Sequence, residues 1–184
     1  MTTTETRRPS WQLLIDALGR EADPIRRRNL EVVARHVTCE VAGDVDGVLA
    51  TLVREPVYRI RGASTSRGPR GGAEVRAFYE DLVASGKNRL EFRIERIVAD
   101  ERTVVTEGEF RFAYPGAWLS GRPTEGDTPV AADGWYLVAY QALILWPIDD
   151  AGLIEGEDVY AGEPPRILRR LSSGELSHLG PIDR

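Results

Sequence analysis

The spacing of apolar residues changes at Pro56, and this change restricts the fold of the chain more than any other feature. Before Pro56, apolar residues recur every three or four positions, which is the spacing of a helix face. After it, long stretches alternate between apolar and polar residues, which is typical of strands. Helices first and strands last predict an α+β domain, in which a curved, mostly antiparallel sheet wraps around N-terminal helices as a cone. The inside of such a cone is a pocket.

Capping residues mark the ends of the second predicted helix. Asp23 followed by Pro24 predicts a helix start, because the carboxylate caps the first amides and proline suits the first helical position. Gly43 suits the end of the same helix.

The predicted helices cover residues 11–20, 24–42, 45–52 and 73–84, with a further short helix at 167–171. The predicted strands cover residues 57–61, 90–95, 103–112, 135–148 and 153–160.

The length of 184 residues fits one domain, since soluble domains peak at roughly 100–150 residues. We expect a flexible leader with a short helix at residues 1–22, a single domain at 23–171 and a loose tail at 172–184. Residues 114–134 form a long insert between two predicted strands. A connection of that length is often a lid or a mobile loop. The sequence leaves open whether it closes over the cone or lies outside it.

Charge and hydropathy restrict the classes of partner. The net charge is −5, and acidic and basic residues alternate along the chain, whereas a nucleic-acid binder concentrates positive charge on one face. The basic runs at residues 26–28 and 169–170 are interpreted as solvated helix faces. No stretch approaches the ~20 apolar residues of a membrane helix, and residues 1–10 lack the apolar core of a signal peptide. We therefore expect a cytoplasmic protein without nucleic-acid or membrane partners.

Residues suited to metal, cofactor or nucleophilic chemistry are scarce. The single cysteine, Cys39, lies on the polar side of its predicted helix beside Glu40, and a nearby carboxylate disfavours a thiolate. His36 lies about 240° around that helix from Leu30, so it is expected at the surface, and His178 lies in the tail. The chain has no phosphate-binding loop, dinucleotide-binding glycine pattern or zinc-protease motif. We expect no metal site and no cofactor.

Carboxylates remain as candidates for acid–base chemistry. In the strand predicted at residues 153–160, Ile154, Asp158 and Tyr160 share one side, and this set is less charged than the opposite one. Alternation therefore places Asp158 inside, where a desolvated carboxyl is suited to proton transfer. The alternative is that Asp158 only accepts hydrogen bonds that fix the sheet.

Aromatic residues on the predicted inner faces are candidates for the pocket wall. Tyr58 shares a strand face with Ile60, either as a core residue with its hydroxyl at the rim or as a donor to a ligand oxygen. Glu107, Glu109 and Arg111 share the outer face of their strand. The predicted substrate-binding residues are Ile60, Tyr79, Thr106, Phe110, Phe112, Tyr140 and Tyr160.

The order of elements and four short stretches resemble the nuclear transport factor 2-like superfamily, and within it the SnoaL-like polyketide cyclases and the limonene epoxide hydrolases. The stretches are residues 44–49, Gly71-Gly72, residues 103–107 and residues 152–160, within a resemblance that spans about residues 23–171. The resemblance implies a cone-shaped α+β roll. It is not specific for a reaction, because this fold carries isomerases, dehydratases, cyclases, hydrolases and non-catalytic binders.

When the functional positions of the family are transferred to this sequence, two of them have a matching side chain. Tyr58 resembles the first-strand tyrosine of the epoxide hydrolases, and Asp158 resembles their late-strand acid. Their asparagine, arginine and other aspartate correspond to Ile60, Gly108 and Phe110, so epoxide hydrolysis is not expected. The base of the ketosteroid isomerases also corresponds to Ile60. The SnoaL-like cyclases use an aspartate on the late strands, which leaves Asp158 as the candidate.

Three functions are consistent with these residues. The first is a cofactor-free isomerase, cyclase or dehydratase acting on a hydrophobic small molecule, with Asp158 as general acid or base and Tyr58 as donor to a carbonyl or enolate oxygen. The second is a ligand-binding module without catalysis, which the loss of several family acids favours. The third is a dimeric scaffold paired through the sheet face that carries Glu91, Arg93 and Glu95. We expect a homodimer through the sheet.

Overall fold

The computed structural model describes residues 10–62, 67–119 and 121–176. Within them, helices precede strands as predicted. The helices are α1 (Gln12–Arg20), α2 (Pro24–Ala42), α3 (Val45–Leu49) and α4 (Gly71–Ala84). The strands are β1 (Arg59–Gly62), β2 (Leu90–Ala99), β3 (Thr103–Pro115), β4 (Trp135–Pro147), β5 (Asp158–Ala161) and β6 (Arg166–Leu171). None of the helices in the described ranges is both long and apolar enough to cross a bilayer.

The strands form one curved sheet in the order β1–β5–β4–β3–β2, with β6 also pairing with β4. The pairs β2–β3, β3–β4, β4–β5 and β4–β6 are antiparallel, whereas β1 and β5 run parallel. The helices cover one face of this sheet and share a hydrophobic core with it. The predicted α+β class, with a mostly antiparallel curved sheet, is confirmed.

Helix α2 forms where the capping residues predicted it. The Asp23 carboxylate accepts hydrogen bonds from the backbone amides of Ile25 and Arg26, both at 3.0 Å. Gly43 ends the helix with a φ of 71°, a conformation that glycine adopts without steric cost. The apolar stripe of α2 is buried in the core through Leu30, Val33, Val37 and Val41.

The predicted leader contains the expected short helix, which is α1. This helix packs on the main core, where Trp11 is 3% exposed and Leu14 is 0% exposed. The remainder of the leader, residues 1–9, lies outside the described residues, as do residues 177–184 of the predicted tail, including His178.

The prediction of a strand at residues 153–160 is wrong for the first half of that range. Only the part that forms β5 pairs as a strand, and Ile154 makes isolated bridges instead. Gly156 separates the two parts: its φ is 148°, and a Cβ added there would lie 2.0 Å from the carbonyl oxygen of Val57. The alternation of side chains breaks at this glycine, so Ile154 and Glu157 are both buried although they lie three positions apart.

Residues 167–171 belong to a strand and do not form the predicted short helix. Strand β6 pairs with residues 135–139 of β4. Strand β5 occupies only residues 142–145 on β4, so the first half of β4 has room for another partner. Ile167 and Leu171 become buried in this arrangement. Tertiary pairing has overridden local helix propensity here.

The insert predicted at residues 114–134 packs against one end of the sheet. It begins later than expected, because β3 continues to Pro115. Leu119 is buried in a cluster with side chains of β4 and β6. Glu125 forms an ion pair of 3.0 Å with Arg166 at the start of β6. The insert is therefore attached to the sheet at the β6 end.

Candidate functional site

A cavity of about 270 Å³ lies between the helices and the helix-facing side of the sheet. Side chains of α2, α4 and five strands (β1 to β5) line it, and the lining is mostly apolar. The apolar part consists of Ile60, Phe78, Leu82, Leu90, Phe110, Phe112, Val159, Ala161 and Pro165. The volume corresponds to about nine water molecules at a liquid volume of ~30 Å³ each.

A row of aromatic rings forms the wall of the cavity on β3 and β4. Phe110 stacks on Phe92 with ring centroids 4.2 Å apart and an interplanar angle of 11°. Phe112 stacks on Tyr140 with centroids 5.9 Å apart and the same angle of 11°. Residues two apart on one strand share a face, and their rings meet those of the neighbouring strand. This wall is apolar, so it suits an apolar ligand.

Four polar side chains are joined by hydrogen bonds at one end of the cavity. The hydroxyls of Tyr58 and Tyr79 lie 2.8 Å apart. The Tyr79 hydroxyl donates to Glu157 Oε1 at 3.0 Å, and it lies 2.9 Å from His36 Nε2. His36 Nε2 also lies 3.2 Å from Glu157 Oε1. We call His36, Tyr58, Tyr79 and Glu157 the polar cluster.

His36 is completely buried, so the predicted surface position is wrong. Its ring lies beside Tyr79 of α4 and 5.4 Å from the ring of Trp146 on β4. Its Nδ1 lies 2.7 Å from Thr51 Oγ1, in the segment after α3. The prediction assumed that α2 buries only its apolar stripe. The neighbouring helices cover a second side of α2, and His36 lies on that side.

Glu40 lines the cavity one helical turn after His36. Burial, with repulsion from Glu157 as a second cause, raises the pKa of Glu40 to about 8. Within the part of the chain that the structure describes, its carboxyl has no hydrogen-bond partner. At neutral pH this carboxyl mostly holds a proton, and it can exchange that proton with a bound molecule.

The two tyrosines of the polar cluster keep their protons. Burial, together with the nearby charge of Glu157, raises the pKa of both Tyr58 and Tyr79 well above the ordinary tyrosine value. Both hydroxyls therefore remain hydrogen-bond donors throughout the neutral range. Tyr58 is one of the residues that line the cavity.

Most of the predicted wall lies where the sequence placed it. The predicted residues that line the cavity are Tyr58, Ile60, Tyr79, Phe110, Phe112 and Tyr140. Thr106 is fully buried but lies outside this lining. Its Oγ1 accepts a hydrogen bond of 2.9 Å from Trp146 Nε1, so it supports the core.

Asp158 and Tyr160 do not line the cavity, and their predicted inward orientation is wrong. The Asp158 carboxylate forms an ion pair of 2.9 Å with Arg59. Tyr160 is 43% exposed and lies under the guanidinium of Arg61, at 5.9 Å. The cause is the break of alternation at Gly156, which reverses the orientation of every later side chain in this stretch.

Sequence reasoning missed three polar residues of the site: His36, Glu40 and Glu157. A reversal of alternation at Gly156 was the available signal for Glu157, since glycine inside a strand pattern often marks an irregularity. For His36 and Glu40 the signal was weak. They lie four positions apart and so share a helix side, but their polarity suggested solvent.

In residues 10–62, 67–119 and 121–176, no three histidine, cysteine, aspartate or glutamate side chains come together in a way that could hold a metal ion.

Comparison with known proteins identifies one family and several structures with the same fold. Residues 33–139 match the family model described as SnoaL-like domain. SalBIII, an epoxide hydrolase/cyclase-like enzyme with a role in pyran ring formation in the polyether salinomycin, is 14% identical with a TM-score of 0.56. The match covers 77% of this chain and 96% of SalBIII. No curated protein matches the chain in sequence.

Two further structures show the same likeness. A protein described as a SnoaL-like polyketide cyclase from Shewanella denitrificans OS-217 is 15% identical, with a TM-score of 0.56 over 76% of this chain and 91% of that one. Rv0760c from Mycobacterium tuberculosis, in complex with estradiol-17β-hemisuccinate, is 16% identical, with a TM-score of 0.52 over 72% of this chain and 92% of that one. At these identities the likeness shows the fold alone.

Proposed function

The chain belongs to the SnoaL-like domain family, and from this premise we propose that it binds a hydrophobic small molecule in the cavity and catalyses proton transfer within it. The reaction class is isomerisation, cyclisation or dehydration next to a carbonyl group. One observation carries the proposal. Glu40, a carboxyl whose pKa is raised to about 8, lines the same apolar cavity as Tyr58.

The volume of the cavity supports an apolar ligand of one or two fused rings in its interior. The aromatic side chains of β3 and β4 offer apolar contacts, and the polar cluster offers partners for one oxygen atom. The complex of Rv0760c with estradiol-17β-hemisuccinate shows that this fold accommodates a multi-ring ligand. A larger ligand would extend beyond the interior of the cavity.

The proposed step begins with removal of a proton from the carbon next to the ligand carbonyl. The Glu40 carboxylate takes this proton, the C–H bond breaks, and its electron pair forms the enolate. Tyr58 donates a hydrogen bond to the enolate oxygen, where negative charge develops. Return of the proton to a different carbon gives isomerisation. Departure of a neighbouring hydroxyl, which takes the proton from Glu40 and leaves as water, gives dehydration.

Hydrogen exchange in a simple ketone tests this reaction class without knowledge of the natural substrate. The probe is 2-tetralone, which has two fused rings and one ketone, incubated with the protein in D₂O. Proton NMR should show faster loss of its α-hydrogens than buffer alone produces. Binding of the probe without faster exchange would exclude proton transfer to this ketone and favour the alternative of a binding module. Absence of binding would contradict both functions for a ligand of this size.

The exchange rate should depend on pH through Glu40. Only the ionised carboxylate accepts a proton, and the pKa of Glu40 is about 8. We therefore expect kcat/KM for exchange to rise about tenfold per pH unit below pH 8 and to level off above it. The measurement is the initial exchange rate between about pH 6 and 9.5, corrected for buffer catalysis. A profile that levels off near pH 5, where an ordinary glutamate ionises, would contradict this assignment.

A further inference from the structure

We infer that His36 carries a proton on both ring nitrogens and is a positioning residue, which shares its Nε2 proton between the Glu157 carboxylate and the Tyr79 hydroxyl. The inference comes from counting protons in the polar cluster. Each close contact between two polar atoms needs a proton between them, and each hydroxyl supplies only one.

Thr51 fixes the proton on His36 Nδ1. Thr51 Oγ1 lies 2.6 Å from the carbonyl oxygen of Val48, which can only accept, so the single hydroxyl proton of Thr51 points there. Thr51 Oγ1 must then accept at its second contact, which is His36 Nδ1 at 2.7 Å. His36 Nδ1 therefore carries a hydrogen.

The other side of the ring requires a second proton. His36 Nε2, Tyr79 Oη and Glu157 Oε1 form a triangle with sides of 2.9, 3.0 and 3.2 Å. Tyr79 has one proton and can serve only one of its two contacts in the triangle. If His36 Nε2 carried no proton and Glu157 were ionised, a lone pair of Nε2 would face a lone pair of Glu157 Oε1 at 3.2 Å inside the protein. Such an arrangement is unfavourable. One further proton therefore lies between Nε2 and Oε1.

The nitrogen is the more basic of the two atoms. An imidazole nitrogen is a stronger base than a carboxylate oxygen, so a shared proton resides on Nε2. Two donors, Tyr79 and His36, then hydrogen-bond to the Glu157 carboxylate. The pair is neutral overall, which suits its burial.

The groups around His36 come from several elements. Thr51 follows α3, Tyr79 is on α4, and Glu157 precedes β5. Trp146 of β4 presents its ring 5.4 Å away and does not titrate. Tyr58 is connected through Tyr79. Glu40 lies one turn along α2, where burial is the main cause of its raised pKa.

Because His36 carries a second proton, the Tyr79 hydroxyl can donate its hydrogen bond to either of two acceptors. While His36 donates to Glu157, Tyr79 can turn its own proton from Glu157 to the Tyr58 oxygen, 2.8 Å away. The Tyr58 proton can then hydrogen-bond either to Glu157 or to a ligand oxygen in the cavity. This consequence for the ligand rests on the proposed function, whereas the proton count does not.

Long-range proton–nitrogen NMR on the ligand-free protein, labelled with ¹⁵N, tests the proton count. At neutral pH, both ring nitrogens of His36 should carry a hydrogen. The variant His178→Asn identifies which signals belong to His36. In Glu157→Gln the side-chain amide brings its own protons, so Nε2 of His36 should lose its hydrogen. The matched control Glu155→Gln, at an exposed carboxylate, should leave both hydrogens in place.

Thr51 supplies a second readout. Thr51→Val keeps the shape but removes the acceptor for Nδ1, so exchange of the Nδ1 proton with water should accelerate roughly tenfold or more. Thr51→Ser restores the hydroxyl and should restore the slow exchange. The inference would be overturned if Nε2 of His36 carried no proton in the unaltered protein, or if Glu157→Gln left the spectrum unchanged. Both results are obtained without ligand, so they are independent of whether 2-tetralone exchanges.

Discussion

Replacing Glu40 with glutamine is expected to slow the exchange of 2-tetralone hydrogens by a factor of about 100 or more, the usual contribution of a general base. The amide has nearly the same shape as the carboxyl but accepts no proton at neutral pH. Because Glu40 is mostly protonated there, the variant should fold normally. The measurement is kcat/KM for exchange at pH 8, with far-ultraviolet circular dichroism and a urea titration as checks of folding.

Asp158→Asn is the matched control for this prediction. It makes the same chemical change at a carboxylate that is paired with Arg59 and does not line the cavity. Exchange should be unchanged, and the stability should fall by less than about 1 kcal/mol, because the Arg59 side chain is 41% exposed and water screens the pair. If Asp158→Asn abolished exchange while Glu40→Gln did not, the acid–base residue would be the one that strand alternation predicted.

Gly156→Ala should lower the free energy of unfolding by about 3 kcal/mol or more. A Cβ at this position would lie 2.0 Å from the Val57 carbonyl oxygen, and a φ of 148° is one that other residues rarely adopt. Relief of the clash requires the backbone before β5 to move. Since Glu157 is the next residue, the polar cluster should lose its geometry as well. A urea titration measures the first effect, and the His36 nitrogen spectrum measures the second.

Gly19→Ala is the control for the glycine substitution. Gly19 lies in helix α1 with no atom within 4 Å of an added Cβ. Alanine favours helix by up to about 1 kcal/mol relative to glycine, so this variant should be equally or slightly more stable than the original. If Gly156→Ala had an equally mild effect, the close approach of Gly156 to the Val57 backbone would not be what interrupts the strand pattern before β5.

The elements with local signals could be predicted from the sequence. The start of α2 was predictable because Asp23 and Pro24 act through atoms within a few residues of themselves. Strands β3 and β4 were predictable because each carries its pattern over thirteen residues, apolar–polar alternation in β3 and a nearly continuous apolar run in β4. A misplaced residue at either end does not change such a long pattern. The order of these elements was sufficient to assign the α+β class.

The orientation of the late strands depended on an interaction distant in sequence. Gly156 approaches the backbone of Val57, about 100 residues earlier, and this contact reverses the side of the sheet that Asp158 faces. Strand β6 likewise depends on how little of the β4 edge is taken by β5. Patterns within a short window carry no information on such contacts.

The polar residues at one end of the cavity could not be predicted from the sequence, for a different reason. A buried histidine or glutamate has the same sequence pattern as an exposed one, because burial depends on whether another element covers that side of the helix. Tyr58 and the aromatic wall were found because large apolar rings on an alternating strand indicate an interior. The homodimer through the sheet stays a prediction, and the mass of the protein in solution would test it.

The most direct test of the account is a pH titration of the Glu40 carboxyl by ¹³C NMR on the ligand-free protein, with Glu40→Gln to assign the signal. We expect a midpoint of about 8, because burial, the largest cause, favours the protonated form. A midpoint near the ordinary glutamate value of about 4.3 would contradict it, since such a carboxyl is solvated and has no proton to exchange at neutral pH.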